Sequence, residues 1–321
     1  MNSALFRITV GIFTALLVID VIGMMVIQPF EISSNDLRKL LKTSGTMGLV
    51  FLVGTIAKRR LVTGGDSDAP KLAYMADITQ ILGMVGGYMI VISVLMAILN
   101  YMLMGVSFPL RDDMFASMDR AMGFDWISVL QWVEVRPAFS WVLVKVYSSS
   151  LAQMMAVIFI YSALRRPDRV LEFTALYAIT GSVVAIVAML FPSMGAHFYY
   201  QPDPELIDQY TNLGYVHIQT LEQLRAGTFQ RLELNNLVGM VSFPSFHTIL
   251  AIIVTYAFRD NRFLFVPVAV LNCLVVVSTL TEGGHYLIDI VGGTAIAVAA
   301  ILFVRAVAPG EQKVATQPAF S

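Results

Sequence analysis

Long apolar segments recur along the whole chain, and they constrain its fold more than any other feature. Most of them hold about 18 or more residues, which is long enough to cross a hydrocarbon core of about 30 Å. Of the 321 residues, 57% are hydrophobic and 13% are charged, a balance too apolar for a soluble domain of this length. Lipid offers no hydrogen-bond partner to a bare backbone amide, so each span must be a helix or part of a closed barrel. Because the segments are continuously apolar and do not alternate, the sequence predicts an all-α polytopic membrane bundle.

About eight transmembrane helices are predicted, and the second and sixth of them are short. They cover residues 8–28, 43–57, 74–105, 139–164, 171–195, 245–258, 263–281 and 285–305. The stretch LVTGGDSDAP at residues 61–70 is rich in turn-forming residues and divides the chain. This stretch separates an N-terminal two-helix membrane section, residues 1–72, from a six-helix membrane domain, residues 73–308. The tail, residues 309–321, is predicted to be disordered and cytoplasmic.

The distribution of lysine and arginine predicts how the spans are oriented. Short loops rich in these residues lie at one end of the spans, at residues 58–60, 165–169 and 259–262. The positive-inside rule assigns that end to the cytoplasm, although the basic residues within 38–42 oppose the assignment. The long loops 106–138 and 196–243 then face outward. The sequence therefore predicts a multi-pass protein of the cell (inner) membrane.

All four histidines of the chain fall on the predicted outer side: His197, His217, His247 and His285. Asp289 follows His285 by four residues, so on a helix the two side chains share a face. An ionisable pair at the start of a membrane helix is costly, and it indicates a functional site unless it only bridges to a neighbouring helix. His247 opens the sixth span at the same depth, which favours function. His197 and His217 have no cysteine or carboxylate at ligand spacing, so we predict no metal site.

The sixth span begins with an unusual polar stretch, VSFPSFHTIL at residues 241–250. Pro244 suits the first turn of a helix, where its missing N–H costs nothing. The free amides of residues 245–247 would then point outward with the positive end of the helix dipole, an arrangement that binds a phosphate oxygen. A histidine in that turn could donate a proton to a leaving group, or it could be a satisfied side chain in an ordinary Pro-initiated helix.

Two segments resemble signature motifs of a known family. Residues 243–247 read FPSFH, and residues 285–289 read HYLID with a glycine pair behind them. They resemble the second and third signatures of the type-2 phosphatidic acid phosphatase superfamily, and most closely its inositol phosphorylceramide synthase-like branch. The segment MDRAMGFDWISVL at residues 118–130 is similar to bacterial members of this branch. The resemblance covers roughly residues 74–305 and implies a six-helix phosphatase-like core, which makes residues 73–308 the catalytic domain.

The resemblance implies a role for each motif residue. His285 would attack phosphorus as the nucleophile and form a phosphohistidine. Asp289 would orient the imidazole, and His247 would protonate the leaving lipid alkoxide and then activate the acceptor. Ser245 and the amides around it would hold the phosphate. The implied reaction needs no cofactor and no metal.

Two cationic elements of the family pattern are missing from this sequence. Thr279 stands where the third signature has arginine, and the first signature, K-x6-R-P, does not occur as written. Some cation must still neutralise the transferring phosphoryl group. Lys145, inside the fourth span, is the first candidate for phosphate binding, unless it only reaches to the outer interface. Arg136 is the second candidate.

The sequence predicts an integral membrane enzyme that acts on a lipid phosphate or phospho-headgroup at the extracytoplasmic face. Water as acceptor would make it a phosphatase, whereas an alcohol would make it a headgroup transferase similar to inositol phosphorylceramide synthase. A hypothesis of another class is a transporter that uses the His-Asp pair as a proton relay, but no inverted repeat supports it. The expected partner is a membrane lipid, and the net charge of −1 does not indicate nucleic acid.

Overall fold

The computed structural model describes residues 3–27, 30–64, 69–203, 215–237 and 239–308. Within these ranges the chain forms thirteen α-helices, one 3-10 turn and a single pair of two-residue strands. The strands β1 (Glu31–Ile32) and β2 (Arg231–Leu232) pair in parallel and join two loops at one end of the bundle. The predicted all-α polytopic bundle is confirmed.

The helices follow one another along the chain with short connections in most places. Before the long loops they are α1 (Ser3–Val26), α2 (Ser34–Gly64) and α3 (Ala69–Met104). The middle of the chain contains α4 (Asp112–Ala121), α5 (Trp126–Glu134), α6 (Pro137–Ser148), α7 (Ser150–Ala163), α8 (Pro167–Leu190) and α9 (Ala196–Tyr200). The last four are α10 (Tyr215–Arg225), α11 (Phe246–Ala257), α12 (Arg262–Thr281) and α13 (Leu287–Val307).

Six helices of the described ranges are long and apolar enough to cross a membrane, namely α1, α2, α3, α8, α12 and α13. α6 and α7 form a seventh apolar unit that bends by 49°, where the sequence predicts one continuous span over residues 139–164. The predicted sixth span corresponds to α11, which has 12 residues. A helix of that length rises about 18 Å and cannot cross a core of about 30 Å alone. The helical part of the predicted sixth span, residues 245–258, is therefore shorter than a full crossing.

The second predicted span, residues 43–57, is too short. The observed span covers Ser34–Arg60. Charged residues end an apolar window in the sequence, but lysine and arginine are good helix formers and let the helix continue. The hydroxyls of Thr43 and Thr46 bond to carbonyls of the preceding turn, so these polar groups are also satisfied within α2.

α8 lies at the centre of the bundle and is the most buried of the six spans. It packs against α1, α3, α11 and α13, and its 24 residues rise about 36 Å. α2 packs mainly along α3 and leaves most of its surface exposed. The two ends of α8 therefore define two ends of the molecule, and they differ in their charged groups.

At the first end of α8, charged side chains pair with one another, and we call this region the Arg-rich end. Glu172 accepts hydrogen bonds from Arg169 and from Arg259, each at 2.8 Å. Arg169 also pairs with Asp260, in the connection between α11 and α12. A second cluster at the same end consists of Asp77 with Lys58 and Arg165. The three basic loops of the sequence thus meet at one end of the bundle.

The division of the chain at residue 72 stays a prediction. Residues 65–68 of the linker-like stretch and the tail 309–321 lie outside the described residues. α1 packs on α3 and α8, and α2 packs along α3. The N-terminal section therefore has extensive contacts with the six-helix body.

Candidate active site

A cavity of about 870 Å³ lies at the end of the bundle opposite the Arg-rich end. Its walls come from α3, α6, α8, α9, α10 and α11, together with the loops around residues 194–195, 236–242 and 282–285. All four histidines line it: His197, His217, His247 and His285. We call this region the histidine end. The structure thus gathers into one cavity the histidines that the sequence places on one side.

His285 and Asp289 form the predicted pair at the start of α13. Nδ1 of His285 donates to Oδ2 of Asp289 at 3.0 Å, and both side chains are buried. The carboxylate keeps the proton on Nδ1, so Nε2 carries the lone pair on a ring that lines the cavity. The hydroxyl of Ser242 and the amide of Tyr286 also donate to Oδ2, at 2.8 and 3.0 Å. Asp289 therefore holds the imidazole in one tautomer and one orientation, as a nucleophile requires.

His247 lies in the first turn of α11 and lines the same cavity. Its ring stacks on that of Tyr147, with centroids 4.3 Å apart and planes 23° apart. The two motif histidines are close enough to interact electrostatically. The amides of Phe246 and His247 have no carbonyl partner within the helix, because they belong to its first turn. The positive end of the α11 dipole is therefore directed at the cavity.

Ser245 does not take the position that the sequence predicts for a phosphate-binding side chain. Its fully buried hydroxyl caps α11 by accepting hydrogen bonds from the amide and the hydroxyl of Thr248, at 3.3 and 3.1 Å. Pro244 also precedes the helix instead of occupying its first turn, since α11 begins at Phe246. The amide of Ser245 donates to the carbonyl of Asp289 at 3.0 Å. Ser245 thus joins the two motif segments from behind the cavity.

The starts of α11 and α13 approach closely at a glycine pair. A Cβ atom at Gly293 would lie 2.5 Å from the carbonyl oxygen of Ser245, and one at Gly292 would lie 2.7 Å from the Phe243 ring. Neither distance is compatible with a side chain. The glycine pair behind HYLID therefore allows the two motif segments to pack against each other.

Asp119 of α4 holds the N-terminus of α13, although the sequence did not indicate it. This carboxylate is fully buried and accepts hydrogen bonds from the amides of Leu287 and Ile288, at 2.8 and 3.0 Å. Burial raises the pKa of Asp119, and the two amides oppose that shift. Asp119 fixes the first turn of the helix that carries Asp289 and follows His285.

Asp112, at the start of α4, holds the loop at residues 194–195 in place by accepting hydrogen bonds. Its carboxylate accepts hydrogen bonds from the Tyr286 hydroxyl at 3.0 Å and from the amides of Met194 and Gly195 at 3.1 Å. Asp112 and Asp119 lie seven residues apart on the buried face of an amphipathic helix. Acidic residues on the apolar face of a helix are the signal from which both could have been found.

His197 and His217 join the cavity wall as neutral side chains. Nε2 of His197 donates to the carbonyl of Thr281 at 2.8 Å, and Nε2 of His217 donates to that of Met194 at 3.2 Å. Burial lowers the pKa of His197 to about 4 and also lowers that of His217. Gly284, at φ 59°, leaves the space that the His197 ring occupies. Both histidines connect loops and bring no positive charge. No group of three histidine, cysteine or acidic side chains in the described ranges could hold a metal ion.

Lys145 and Arg136, the predicted phosphate ligands, lie outside the cavity. Arg136 donates to the carbonyl of Trp132 at 2.6 Å and stacks over its ring at 3.9 Å. Lys145 is exposed, with Nζ 5.7 Å from the centroid of the Trp141 ring. On α6 it is Tyr147 that lines the cavity, and a residue two positions earlier is rotated by about 200° and faces away. The structure therefore does not bring these two cations to the site.

Glu282 is a cavity residue that the sequence motifs did not indicate. It follows the last turn of α12, is 1% exposed and lines the cavity. Burial raises its pKa to about 7. Its position three residues before His285, in the stretch TEGGHYLID, was the available signal.

Comparison with known proteins supports the resemblance of the motifs. A family model described as the PAP2 superfamily matches residues 113–303, from α4 to α13. No curated protein and no solved structure matches the chain. The matched region contains His247, His285 and Asp289 and covers more than half of the sequence. A match of this extent shows that the chain belongs to the PAP2 superfamily.

Proposed function

We propose that the protein is an integral membrane lipid phosphatase or phosphotransferase that acts through a phosphohistidine at His285. Its membership of the PAP2 superfamily supports phosphoryl chemistry on a lipid. The observation that carries the proposal is the hydrogen bond from His285 to Asp289, which leaves Nε2 free in a cavity that also contains His247. A nucleophile, a residue that orients it and a second imidazole for proton transfer then lie in one place.

In the first step, the lone pair on Nε2 of His285 attacks phosphorus and forms an N–P bond. The bond from phosphorus to the leaving oxygen breaks, and its electron pair stays on that oxygen. His247, in its protonated form, gives the oxygen a proton, so the lipid leaves as an alcohol. Asp289 stabilises the positive charge that develops on the imidazole of His285.

In the second step, the neutral His247 takes a proton from the hydroxyl of the acceptor. The acceptor oxygen attacks phosphorus, the N–P bond breaks, and its electron pair returns to Nε2 of His285. The enzyme is then in its starting state. Water as acceptor gives hydrolysis, and an alcohol gives transfer of the phospho-headgroup.

The phosphoryl oxygens need positive groups, and the lining of the cavity contains neither lysine nor arginine in the described ranges. The first-turn amides at Phe246 and His247 and the dipole of α11 are the nearest substitutes. We propose that the first-turn backbone amides of α11, with His247 beside them, take the place of Lys145 and Arg136 at the phosphate.

A specific observation keeps transfer to an alcohol as a second candidate function. The cavity volume of about 870 Å³ is far larger than the roughly 30 Å³ of a water molecule. Room for a headgroup and an acceptor at once favours a transferase, as in the inositol phosphorylceramide synthase-like branch. The transporter hypothesis has no such support from the described residues.

The proposed site faces the extracytoplasmic side of the cell membrane, because the basic loops meet at the other end. Labelling of single cysteines in a Cys273→Ser background tests this orientation. Gln230 and Arg262 are exposed residues at the histidine end and the Arg-rich end, respectively. An impermeant thiol reagent added to intact cells should label Gln230→Cys and spare Arg262→Cys, and the reverse pattern would place the site in the cytoplasm.

The activity itself is tested with purified protein, a panel of labelled phospholipids and phosphatidic acid, and water or alcohols as acceptors. Thin-layer chromatography should show a product that depends on His285 and that persists in EDTA, since the proposed steps use no metal. Loss of activity in EDTA that added metal restores would contradict the proposed chemistry. Failure of every donor with the intact protein would contradict the enzymatic function.

A further inference from the structure

Glu282 is buried at the histidine end without a partner for its charge. The side chain is 1% exposed, and neither of its carboxylate oxygens has a hydrogen-bond partner among the described residues. Glu282 lines the cavity and lies three residues before His285 in the same loop. Buried polar groups are almost always satisfied, so an open carboxylate in a cavity wall indicates that a ligand completes it.

No lysine or arginine of the described residues pairs with Glu282 in the cavity wall. Glu282 is the one acidic side chain among its described lining residues, and none of those residues is lysine or arginine. His197 and His217 are kept neutral by burial, which lowers the pKa of both. An ionised carboxylate here would repel a phosphate, unless the same ligand also carries a cation.

Aromatic rings share the cavity with this carboxylate. Tyr101, Tyr147 and Tyr177 line it, and Tyr147 lies within electrostatic range of Glu282 while it stacks on His247. Aromatic faces combined with a carboxylate are the usual receptor for an ammonium group in a protein. Tyr147 thus connects the place of the proposed chemistry with the open acidic group.

We propose that Glu282 binds the ammonium group of an amino-alcohol headgroup whose phosphate is bonded to the lipid. This inference rests on the proposed function, since it takes the phosphate to lie between His285 and His247. A two-carbon chain separates phosphate from ammonium in such a headgroup, which fits an acidic residue in the loop that carries the nucleophile. The headgroup is a zwitterion, and its ammonium group is the cation that pairs with Glu282.

Binding of free headgroups tests the inference without catalysis. In a His285→Ala background, titration calorimetry compares phosphoethanolamine with glycerol phosphate, which has no ammonium group. Phosphoethanolamine should bind at least about tenfold more tightly, and Glu282→Gln should remove that difference. Asp113→Asn is the matched control, because Asp113 is an exposed acid of the same end that bonds to Tyr199 and does not line the cavity. This variant should keep the preference.

Turnover provides an independent measurement. With otherwise intact protein, kcat/KM for phosphatidylethanolamine should exceed that for phosphatidylglycerol, and Glu282→Gln should lower the former at least about tenfold and the latter less than about threefold. Equal losses on both donors, or a native preference for the uncharged alcohol headgroup, would overturn the inference. If Glu282→Gln does not fold, the native preferences in the two assays decide alone.

The inference and the proposed function fail in different ways. Turnover that depends on His285 but shows no preference for ammonium would refute the role of Glu282 and keep the phosphohistidine. Selective binding of phosphoethanolamine without turnover of any lipid would support Glu282 and refute the proposed enzyme.

Discussion

Each end of the bundle contains a glutamate, half-buried at the Arg-rich end and fully buried at the histidine end, and the two carboxylates differ in their partners. At the Arg-rich end, Glu172 accepts hydrogen bonds from Arg169 and Arg259. At the histidine end, Glu282 has no hydrogen-bond partner in the described ranges and lies in a cavity wall. A buried charge costs several kcal/mol unless it is paired, so the first end is complete as it stands. The second end is complete only with a ligand.

A similar contrast holds within the histidine end. The carboxylates of Asp112, Asp119 and Asp289 accept two or more hydrogen bonds each, and all three hold loops or helix ends in place. His247 and Glu282 line the cavity and have no hydrogen bond to another described side chain. The three carboxylates that accept hydrogen bonds from loops and helix ends position the site, whereas His247 and Glu282 are available to the substrate.

The largest effect on turnover is expected at His285, the proposed nucleophile. His285→Ala should lower turnover by at least about 10⁴-fold, because the N–P bond can no longer form. His247→Ala should be similarly severe, and the double variant should lose little more, since both residues serve one step. Radiolabelled lipid turnover in detergent measures these losses. If the activity of His285→Ala stays within tenfold of that of the native protein, the histidine end is not the place of the chemistry.

Replacement of Asp119, a carboxylate that accepts two hydrogen bonds at the histidine end, should have an intermediate effect on turnover. Asp119→Ala leaves the amides of Leu287 and Ile288 without their acceptor and lets the start of α13 shift, and a displacement of about 1 Å costs about 100-fold in rate. The loss should appear in kcat with KM nearly unchanged, and Asp119→Asn should restore part of it. Asp113→Ala, on the exposed face of the same helix, is the control and should retain native kcat. A rise in KM without a fall in kcat would contradict the positioning role.

A change at the Arg-rich end should affect stability and leave the chemistry alone. Glu172→Gln removes one partner of a buried charge network, so the free energy of unfolding should fall by about 3 kcal/mol. Turnover at a permissive temperature should stay within about twofold, since α8 separates the two ends by about 36 Å. Thermal unfolding in detergent measures the first effect. Arg231→Ala, in the exposed pair with Glu31, is the control and should leave the melting temperature unchanged. A melting temperature of Glu172→Gln equal to that of the native protein would show that the network contributes nothing.

The smallest effects are expected at Lys145 and Arg136, the two exposed cations that the sequence predicts as phosphate ligands. Lys145→Ala and Arg136→Ala should each change kcat/KM by less than about twofold, because neither side chain lines the cavity. Initial rates over a range of lipid concentrations measure this. A loss of kcat/KM beyond tenfold in Lys145→Ala would show that this cation reaches the phosphate. That result would contradict a phosphate site without lysine or arginine.

The lengths of the apolar segments predicted most helices of the bundle. They did not predict where a helix continues through charged residues or where it stops at a loop. α2 extends well beyond residues 43–57, whereas the helical part of the sixth predicted span, α11, has only 12 residues. The residues of the HYLID motif were predictable because their spacing of four already places His285 and Asp289 on one face. The hydrogen bonds of Asp112 and Asp119 could not be predicted in this way. They join residues more than 150 positions apart in the sequence, which local spacing does not reveal.

Residue type alone misplaced three of the predicted site residues, namely Lys145, Arg136 and Ser245. Lys145 was chosen because the phosphate needs a cation, but the rotation of α6 directs Tyr147 to the cavity instead. Ser245 was chosen from its place in the motif, yet its hydroxyl serves as the cap of α11. Glu282 became a candidate only when burial and the absence of a partner were visible together.

Detection of the covalent intermediate tests the central claim most directly. In His247→Ala, a lipid analogue with a nitrophenolate leaving group needs no general acid, whereas release of the intermediate still needs the missing base. Rapid quenching followed by peptide mass spectrometry should therefore find a phosphorus-containing adduct on His285, stable in base and labile in acid, that is absent from the variant that also carries His285→Ala. Phosphorus on a different residue, or a burst of nitrophenolate that persists without His285, would contradict the account.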